Sequence, residues 1–153
     1  MNHAAPTKLI FEKLLAARRP LLVSHRKPDG DTLGGMMAVY NWLRDHGREA
    51  YAFCVDAPSS AYSYFPRIRD VQTNPEIFND EAVDMVCVFD AGDLQYAGID
   101  ACVAVMPKRP FIANFDHHVT NASFGDANLV VTDASSTAEV VHAFFVANGV
   151  EIS

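Results

Sequence analysis

Apolar residues alternate along the chain between helical and strand-like patterns. Over residues 9–15 they recur at helical spacing, which predicts an N-terminal helix. Residues 20–25, PLLVSH, form a short apolar run that is typical of a buried strand. Residues 33–44, LGGMMAVYNWLR, predict a second helix that ends near Gly47.

The rest of the chain repeats this alternation. Four further strands are predicted at residues 49–55, 85–91, 111–118 and, more weakly, 127–132. Three prolines make residues 56–80 a loop with short helices.

A final helix is predicted within residues 133–149. Asp133, Ser135 and Ser136 are its candidate N-caps, and Gly149 is its stop. The whole pattern predicts an α/β fold with a mostly parallel, roughly five-stranded sheet and helices on both faces. Ligands of such sheets bind beyond the carboxyl ends of the strands.

The amino-acid composition argues against some binding partners and indicates a cellular compartment. The chain has 12 Lys and Arg against 19 Asp and Glu, a formal charge of −7, which argues against binding a long nucleic-acid duplex. Cys54, Cys87 and Cys102 lie in apolar context and are interpreted as free thiols of a reducing compartment. Because no apolar run approaches about 20 residues, we expect a cytoplasmic protein that does not enter a membrane.

Three of the predicted strands end in side chains that can bind metals. The first is followed by His25, Asp29 and Asp31, the third by Asp90, and the fourth by Asp116, His117 and His118. Carboxylates packed together repel one another. Burial of a carboxylate without a partner costs folding free energy on the order of several kcal/mol. A shared divalent cation removes this cost, so we expect these side chains to converge on one.

The stretch SHRKPDGDTLGG, residues 24–35, also favours phosphate binding. Asp29 and Asp31 can reach neighbouring positions across Gly30, and Asp31 or Thr32 is the expected N-cap of the next helix. The glycines Gly34 and Gly35 are expected to leave room and backbone N–H groups for a phosphate.

The types of ligand indicate the metal. Carboxylates and imidazoles without thiolates suit Mn²⁺, or Mg²⁺ or another divalent ion, better than a structural cysteine-bound zinc. Two ions roughly 3.5–4 Å apart need a bridging carboxylate, and Asp90, on the predicted central strand, is the natural bridge. The alternative is that these acids only cap helices and turns, in which case no metal binds.

These motifs resemble the DHH phosphoesterase superfamily. Residues 24–35 match its first motif, VFDAGD the second, NFDHHVTNASFG the third, and DASSTAEVV the serine–threonine run that follows. The order and spacing are similar to those of the branch of bifunctional oligoribonucleases (nano-RNases) and 3′-phosphoadenosine 5′-phosphate (pAp) phosphatases.

The resemblance implies a role for each residue. His25, Asp29 and Asp90 would hold one Mn²⁺, and Asp31, Asp90 and His117 the other. Asp116 would orient the histidine pair, His118 would contact the scissile phosphate, and Asn121 would be a weaker substrate contact.

Part of the family pattern does not appear in these 153 residues. The family takes a further metal-binding aspartate from a TDTG-like segment and has a substrate-binding DHHA1 domain. We therefore expect residues 1–153 to be the DHH catalytic domain of a longer protein, truncated at its C-terminus. Asp126 or Asp133 could replace the missing ligand, although a turn residue and a helix cap fit them better.

The expected function is Mn²⁺-dependent phosphoester hydrolysis of short RNA oligonucleotides or of pAp, through two-metal activation of water. A homodimer is among the assemblies that the resemblance allows. Within the superfamily, the alternatives are a cyclic dinucleotide phosphodiesterase, a RecJ-like exonuclease and an inorganic pyrophosphatase. An alternative of another class is a metal- or nucleotide-binding fragment without turnover.

Overall fold

A computed structural model describes residues 2–152 of the chain. One parallel sheet of six strands forms its centre. The helices are α1 (Ala4–Ala16), α2 (Gly30–Asp45), α3 (Leu94–Ala97), α4 (Asp100–Ala104) and α5 (Thr137–Ala147). The strands are β1 (Pro20–Ser24), β2 (Tyr51–Phe53), β3 (Val71–Gln72), β4 (Met85–Phe89), β5 (Phe111–Asp116) and β6 (Ala127–Val130).

The strands lie in the order β3-β2-β1-β4-β5-β6, and every neighbouring pair is parallel. The chain therefore winds outward in one direction from β1 and in the other from β4. In such doubly wound sheets a crevice opens at the carboxyl ends of the two central strands. The α/β fold and the five expected strands are confirmed, and β4 is central as expected.

Both faces of the sheet are covered, which explains the unbroken apolar runs in the sequence. Leu22 and Cys87 pack on one face with residues of α1, α2 and α5. Leu21 and Val23 pack on the other face with α3, α4 and the 3₁₀ helix Pro75–Asn79. Strands buried on both faces have no polar side to produce alternation.

The structure differs from the sequence prediction in some boundaries. Helix α2 begins three residues early, at Gly30, because the Asp29 side chain accepts hydrogen bonds from the backbone N–H groups of Asp31 and Thr32. Asp29 is therefore its N-cap, and the expectation of Asp31 or Thr32 was wrong. Among the expected caps of α5, Ser136 occupies the position.

Two kinds of element were not predicted. Strand β3 has only two residues at the sheet edge, and α3 and α4 have four and five. Elements this short leave no readable periodicity. Among residues 2–152, no helix is long and apolar enough to cross a bilayer.

Candidate metal centre

The candidate site lies at the carboxyl ends of β1, β4 and β5. His25 directly follows β1, Asp90 directly follows β4, and Asp116 is the last residue of β5. These strands are neighbours in the sheet, so residues separated by up to 91 positions in sequence meet at one edge. The convergence expected from the sequence is present in the fold.

Asp90 occupies the centre of the cluster in an unusual backbone conformation. Its φ is +60°, in the left-handed region, and its side chain is only 6 % exposed. This conformation costs roughly 1–3 kcal/mol for a residue other than glycine. The backbone N–H of Asp90 donates to the carbonyl of Phe115 at 2.9 Å, which holds the turn and aims the carboxylate between β1 and β5.

His25 and Asp29 lie on the β1 side of Asp90. The Nε2 atom of His25 is 3.4 Å from Oδ2 of Asp90 and 3.9 Å from Oδ2 of Asp29. The other ring nitrogen of His25 faces the carbonyl oxygen of Arg26 at 2.5 Å. This contact fixes the imidazole so that Nε2 points into the cluster.

His117 and Asp31 lie on the opposite side. The Nε2 atom of His117 is 3.6 Å from a carboxylate oxygen of Asp31 and 3.6 Å from Oδ1 of Asp90. The Asp31 carboxylate also accepts from the backbone N–H groups of Thr137 and Ala138, at 2.9 and 2.8 Å. Asp31 therefore joins the start of α2 to the start of α5 beside the cluster.

Asp116 positions the second histidine of the pair. It is fully buried, and its Oδ1 lies 2.7 Å from Nδ1 of His118. The same oxygen accepts from the backbone N–H of His117 at 2.7 Å. The imidazole of His117, by contrast, does not contact the Asp116 side chain. Its Nδ1 faces the carbonyl of Ala134 at 3.3 Å. The expected role of Asp116 thus applies to one imidazole of the pair.

The electrostatics of the cluster follow from this packing. Burial raises the pKa of Asp90, but the neighbouring His25 and Thr137 more than offset it, so the pKa lies below its ordinary value. Burial lowers the pKa of His25, but the hydrogen bonds to Asp90 and to the Arg26 carbonyl, together with the charges of Asp29 and Asp90, more than offset it, so the pKa lies above its ordinary value. The hydrogen bond to Asp116 raises the pKa of His118. The acidic groups therefore favour a positive charge at the centre.

The donor set fits a divalent cation. One ligand atom from each of His25, Asp29 and Asp90 lies within 4.8 Å of the others, and the same holds for Asp90, Asp116, His117 and His118. Several of the nitrogen–oxygen separations are 3.4–3.9 Å, longer than a good hydrogen bond. Oxygen and imidazole ligands without thiolate match Mn²⁺ and similar ions.

Two threonines in the cluster were not identified from the sequence as functional residues. The fully buried Thr137 hydroxyl donates to Oδ1 of Asp90 at 2.8 Å. The fully buried Thr32 hydroxyl lies 3.1 Å from Ser24 Oγ and donates to the carbonyl of Phe89 at 3.0 Å. A threonine in a helix carries no sequence signal for such contacts.

The two glycines expected to bind phosphate lie in the body of a helix. Gly34 and Gly35 lie inside α2, not at its free N-terminus, and a Cβ on Gly35 would lie 3.4–3.5 Å from side chains of Phe89, Thr137 and Val141. Gly35 therefore allows α2 to pack closely against α5, and the expected phosphate cradle is not formed by these glycines.

The side chain of Asn121 is held by hydrogen bonds within the protein, and its expected contact with substrate stays a prediction. Its side chain donates to Asp116 at 2.7 Å and to the carbonyl of Ala91 at 3.2 Å. Its oxygen accepts from Asn114 and from the backbone of Ser123. Asn121 is thus a positioning residue for Asp116.

Asp126 and Asp133 were the suggested replacements for the missing metal ligand, and both lie outside the cluster. Asp126 pairs with Arg109 at 2.8 Å and accepts from the backbone N–H of Ile112, near the amino end of β5. That end of the sheet is opposite the cluster, so Asp126 is not a ligand. Asp133 is exposed in the turn before α5 and is not its N-cap.

The chain is similar to known proteins in sequence and in fold. The chain is 29% identical over 145 residues to the bifunctional oligoribonuclease and PAP phosphatase NrnA of Thermus thermophilus, covering 94% of this chain and 42% of that protein. Its fold matches the crystal structure of an exopolyphosphatase-related protein from Bacteroides fragilis. There the TM-score is 0.83 at 21% identity, covering 93% of this chain and 43% of the other.

The chain thus spans less than half the length of both proteins. A family model described as the N-terminal domain of the DHH family matches residues 20–152, a range that holds every residue of the cluster. The chain belongs to the DHH family.

Proposed function

We propose that this chain carries the catalytic centre of a metal-dependent phosphoester hydrolase. Its substrates are short oligoribonucleotides and 3′-phosphoadenosine 5′-phosphate. The observation that carries the proposal is the convergence of His25, His117 and His118 on the Asp90 carboxylate, at 3.4–3.6 Å. The activities for which the Thermus thermophilus relative is named, those of an oligoribonuclease and PAP phosphatase, support the choice of substrate.

The resemblance assigns two ions to the cluster, and the group His25, Asp29 and Asp90, whose ligand atoms lie within 4.8 Å of one another, supports the first of them. His25, Asp29 and Asp90 would hold one, and Asp31, Asp90 and His117 the other. The chemistry that such ions supply when bound is activation of water and neutralisation of charge on the phosphate oxygens. Mn²⁺ suits the ligand set, and Mg²⁺ is the alternative.

The chain's own residues bind and orient the phosphate. His118 is 51 % exposed at the mouth of the cluster, and Asp116 holds its Nδ1, so Nε2 is free to contact a phosphate oxygen. Asp116 acts through His118 and is therefore a positioning residue.

Substitution of Asp90 tests the function. Asp90→Asn keeps the size of the side chain but removes the charge shared by the imidazoles. We expect Mn²⁺-dependent hydrolysis to fall by at least about a thousandfold, the magnitude of losing a main electrostatic element of catalysis. Hydrolysis that survives this change would contradict the proposal.

Substrates should be compared in parallel: a dinucleotide, pAp, cyclic di-AMP, a longer single strand and pyrophosphate. Preference for the first two supports the proposal. Preference for cyclic di-AMP, the longer strand or pyrophosphate would instead support a cyclic dinucleotide phosphodiesterase, a RecJ-like exonuclease or a pyrophosphatase.

One observation favours a second candidate, a metal-binding domain without turnover. Both oxygens of Asp31 already accept hydrogen bonds from the start of α5, which weakens this carboxylate as a ligand of the second ion. Calorimetric titration with Mn²⁺ separates the two candidates. Two tight sites with turnover support the hydrolase, and one tight site without turnover supports the metal-binding domain.

A further inference from the structure

Two cationic side chains stand unpaired beside the acidic cluster. Within residues 2–152, the guanidinium of Arg26 and the ammonium of Lys27 make neither a hydrogen bond nor an ion pair with any side chain. Arg19, Arg67 and Arg109 each bind a carboxylate, whereas the side chains of Arg18 and Arg69 are unpaired in the same described residues, so Arg26 is distinguished by its place beside the site. In a protein with a formal charge of −7, free cations at the candidate site are available to an anionic ligand.

The side chain of Arg26 packs against the backbone of Gly98. A Cβ on Gly98 would lie 3.0 Å from Cγ of Arg26 and closer still to its Nε, so the arginine stem lies directly over the bare backbone of this glycine. Gly98 has a φ of +84° and ends α3. A guanidinium whose stem is packed in this way loses less side-chain freedom when it binds an anion than a free one does.

A cavity of about 460 Å³ lies between Arg26 and the cluster. Its lining residues are His25, Arg26, Lys27, Asp29, Gln95 and Tyr96. His25 and Asp29 are candidate metal ligands, so the cavity opens directly onto the site. Asp29 is the acidic side chain in its lining.

Tyr96 supplies an aromatic wall. Its ring is 59 % exposed and lies 5.4 Å from the ring of His25, centroid to centroid. It also lines a second cavity of about 360 Å³, together with Asp90 and His118. The ring therefore borders both sides of the cluster, where a base next to the reacting phosphate could stack on it.

We propose that Arg26 and Tyr96 form a nucleotide subsite next to the metal centre, in which Arg26 binds a second phosphate of the substrate and Tyr96 stacks on its base. This inference rests on the proposed function and specifies the substrate class as nucleotides with a phosphate beyond the one hydrolysed. Lys27 adds charge at the same cavity, and the planar fork of Arg26 gives the directed contact.

The kinetic experiment uses the full chain with Mn²⁺ and compares Arg26→Ala with wild type. The substrates are adenosine 3′,5′-bisphosphate and adenosine 3′-monophosphate, which lacks the second phosphate. We expect KM for the bisphosphate to rise by about tenfold, as for loss of one charge-assisted hydrogen bond. The rise for the monophosphate should be several times smaller, and Arg26→Lys should be intermediate. Equal losses in kcat on both substrates would overturn the proposal.

Arg18→Ala is the matched control. Arg18 is exposed at the opposite edge of the sheet, where its backbone N–H donates to Asp84, so the substitution removes an arginine without touching the cavity. An effect on the bisphosphate as large as that of Arg26→Ala would mean that overall charge, not a subsite, determines binding.

A binding experiment keeps this test separate from the test of hydrolysis. Calorimetric titration of the Mn²⁺-loaded chain with adenosine 5′-monophosphate and with adenosine requires no turnover. We expect Arg26→Ala to weaken binding of the monophosphate about tenfold and that of adenosine far less. Tyr96→Ala should weaken both ligands, and Tyr96→Phe should preserve both.

If the chain hydrolyses none of the substrates but Arg26 still determines the preference for the monophosphate, the proposed function fails and the subsite stands. If hydrolysis is present but Arg26→Ala changes neither KM nor binding, the subsite is wrong and the function stands.

Discussion

The hydroxyl of Thr137 donates a hydrogen bond of 2.8 Å to the carboxylate of Asp90, 47 residues earlier in the chain. The backbone N–H of the same threonine donates to Asp31 at 2.9 Å. The first residue of α5 is thereby connected to two candidate metal ligands on different elements. The helix and the cluster should consequently depend on each other.

Thr137→Val should lower Mn²⁺ affinity by about 10–100-fold, the usual effect of removing a hydrogen bond to a ligand from outside the ligand set. Valine keeps the shape of threonine and removes the hydroxyl, while Thr137→Ser should restore the affinity. Calorimetric titration with Mn²⁺ measures the effect.

Thr7→Val is the control for this prediction, because Thr7 is also buried but lies in α1, away from the cluster. Unchanged Mn²⁺ affinity in Thr137→Val would mean that the hydroxyl contributes only to packing.

Mn²⁺ should stabilise the folded chain, and Asp90→Asn should abolish this effect. An ion that binds only the folded state at a hundred times its Kd adds about 2.7 kcal/mol to the free energy of unfolding. Thermal unfolding with Mn²⁺ and with EDTA measures the difference. The control Asp93→Asn removes an acid at the same sheet edge but preserves the N-cap of α3, so the stabilisation should remain. A metal-induced shift that persists in Asp90→Asn would place the ion elsewhere.

Asp80 should make stability depend on pH in the acid range. The backbone N–H of Ala82, the Tyr51 hydroxyl and Arg19 hold the pKa of this carboxyl below its ordinary value. Because the pKa of Asp80 is lower in the folded than in the unfolded state, the ionised carboxyl contributes its full stabilisation at pH values above the unfolded pKa, about 3.9. That stability is lost as pH falls through the folded pKa.

The measurement for Asp80 is the difference in free energy of unfolding between wild type and Asp80→Asn at several pH values. It should be constant near neutral pH and shrink below about pH 4. Glu81→Gln changes an exposed neighbour and should give a difference with no such decline. A difference for Asp80→Asn that stays constant through pH 3 would contradict the assigned contacts.

Larger side chains at Gly35 and at its neighbour Gly34 should change the free energy of unfolding in opposite directions. Gly35→Leu would force atoms into the contact between α2 and α5 and should cost about 1–3 kcal/mol. Gly34→Ala would meet Ala138 and Phe65 only at 3.8 and 3.9 Å and should stabilise the helix by up to about 1 kcal/mol. Denaturant unfolding checks both; a neutral Gly35→Leu would show that the contact between the helices is not tight.

Much of the fold could be predicted because each central strand is a short, continuous apolar run. β1, β4 and β5 were found at the right places, and their buried pairing leaves little freedom of register. The two-residue strand β3 could not be found, because its pairing depends on β2 and not on its own residues. The start of α2 was misplaced because Asp29, Asp31 and Thr32 are all residue types that can cap a helix, and only the backbone geometry selects one.

The sequence by itself determined which side chains end the strands, and the parallel order of the sheet made their meeting predictable: His25, Asp90 and His117 lie where that reasoning expected them. Only the tertiary structure decided the contacts made by residues without a distinctive pattern. Thr137 reaches Asp90, Asn121 turns inward to Asp116, Gly35 fits under α5, and Arg26 lies over Gly98. The physical reason is that strand ends are set by local hydrophobicity, whereas a hydrogen bond or a close approach depends on how distant elements pack.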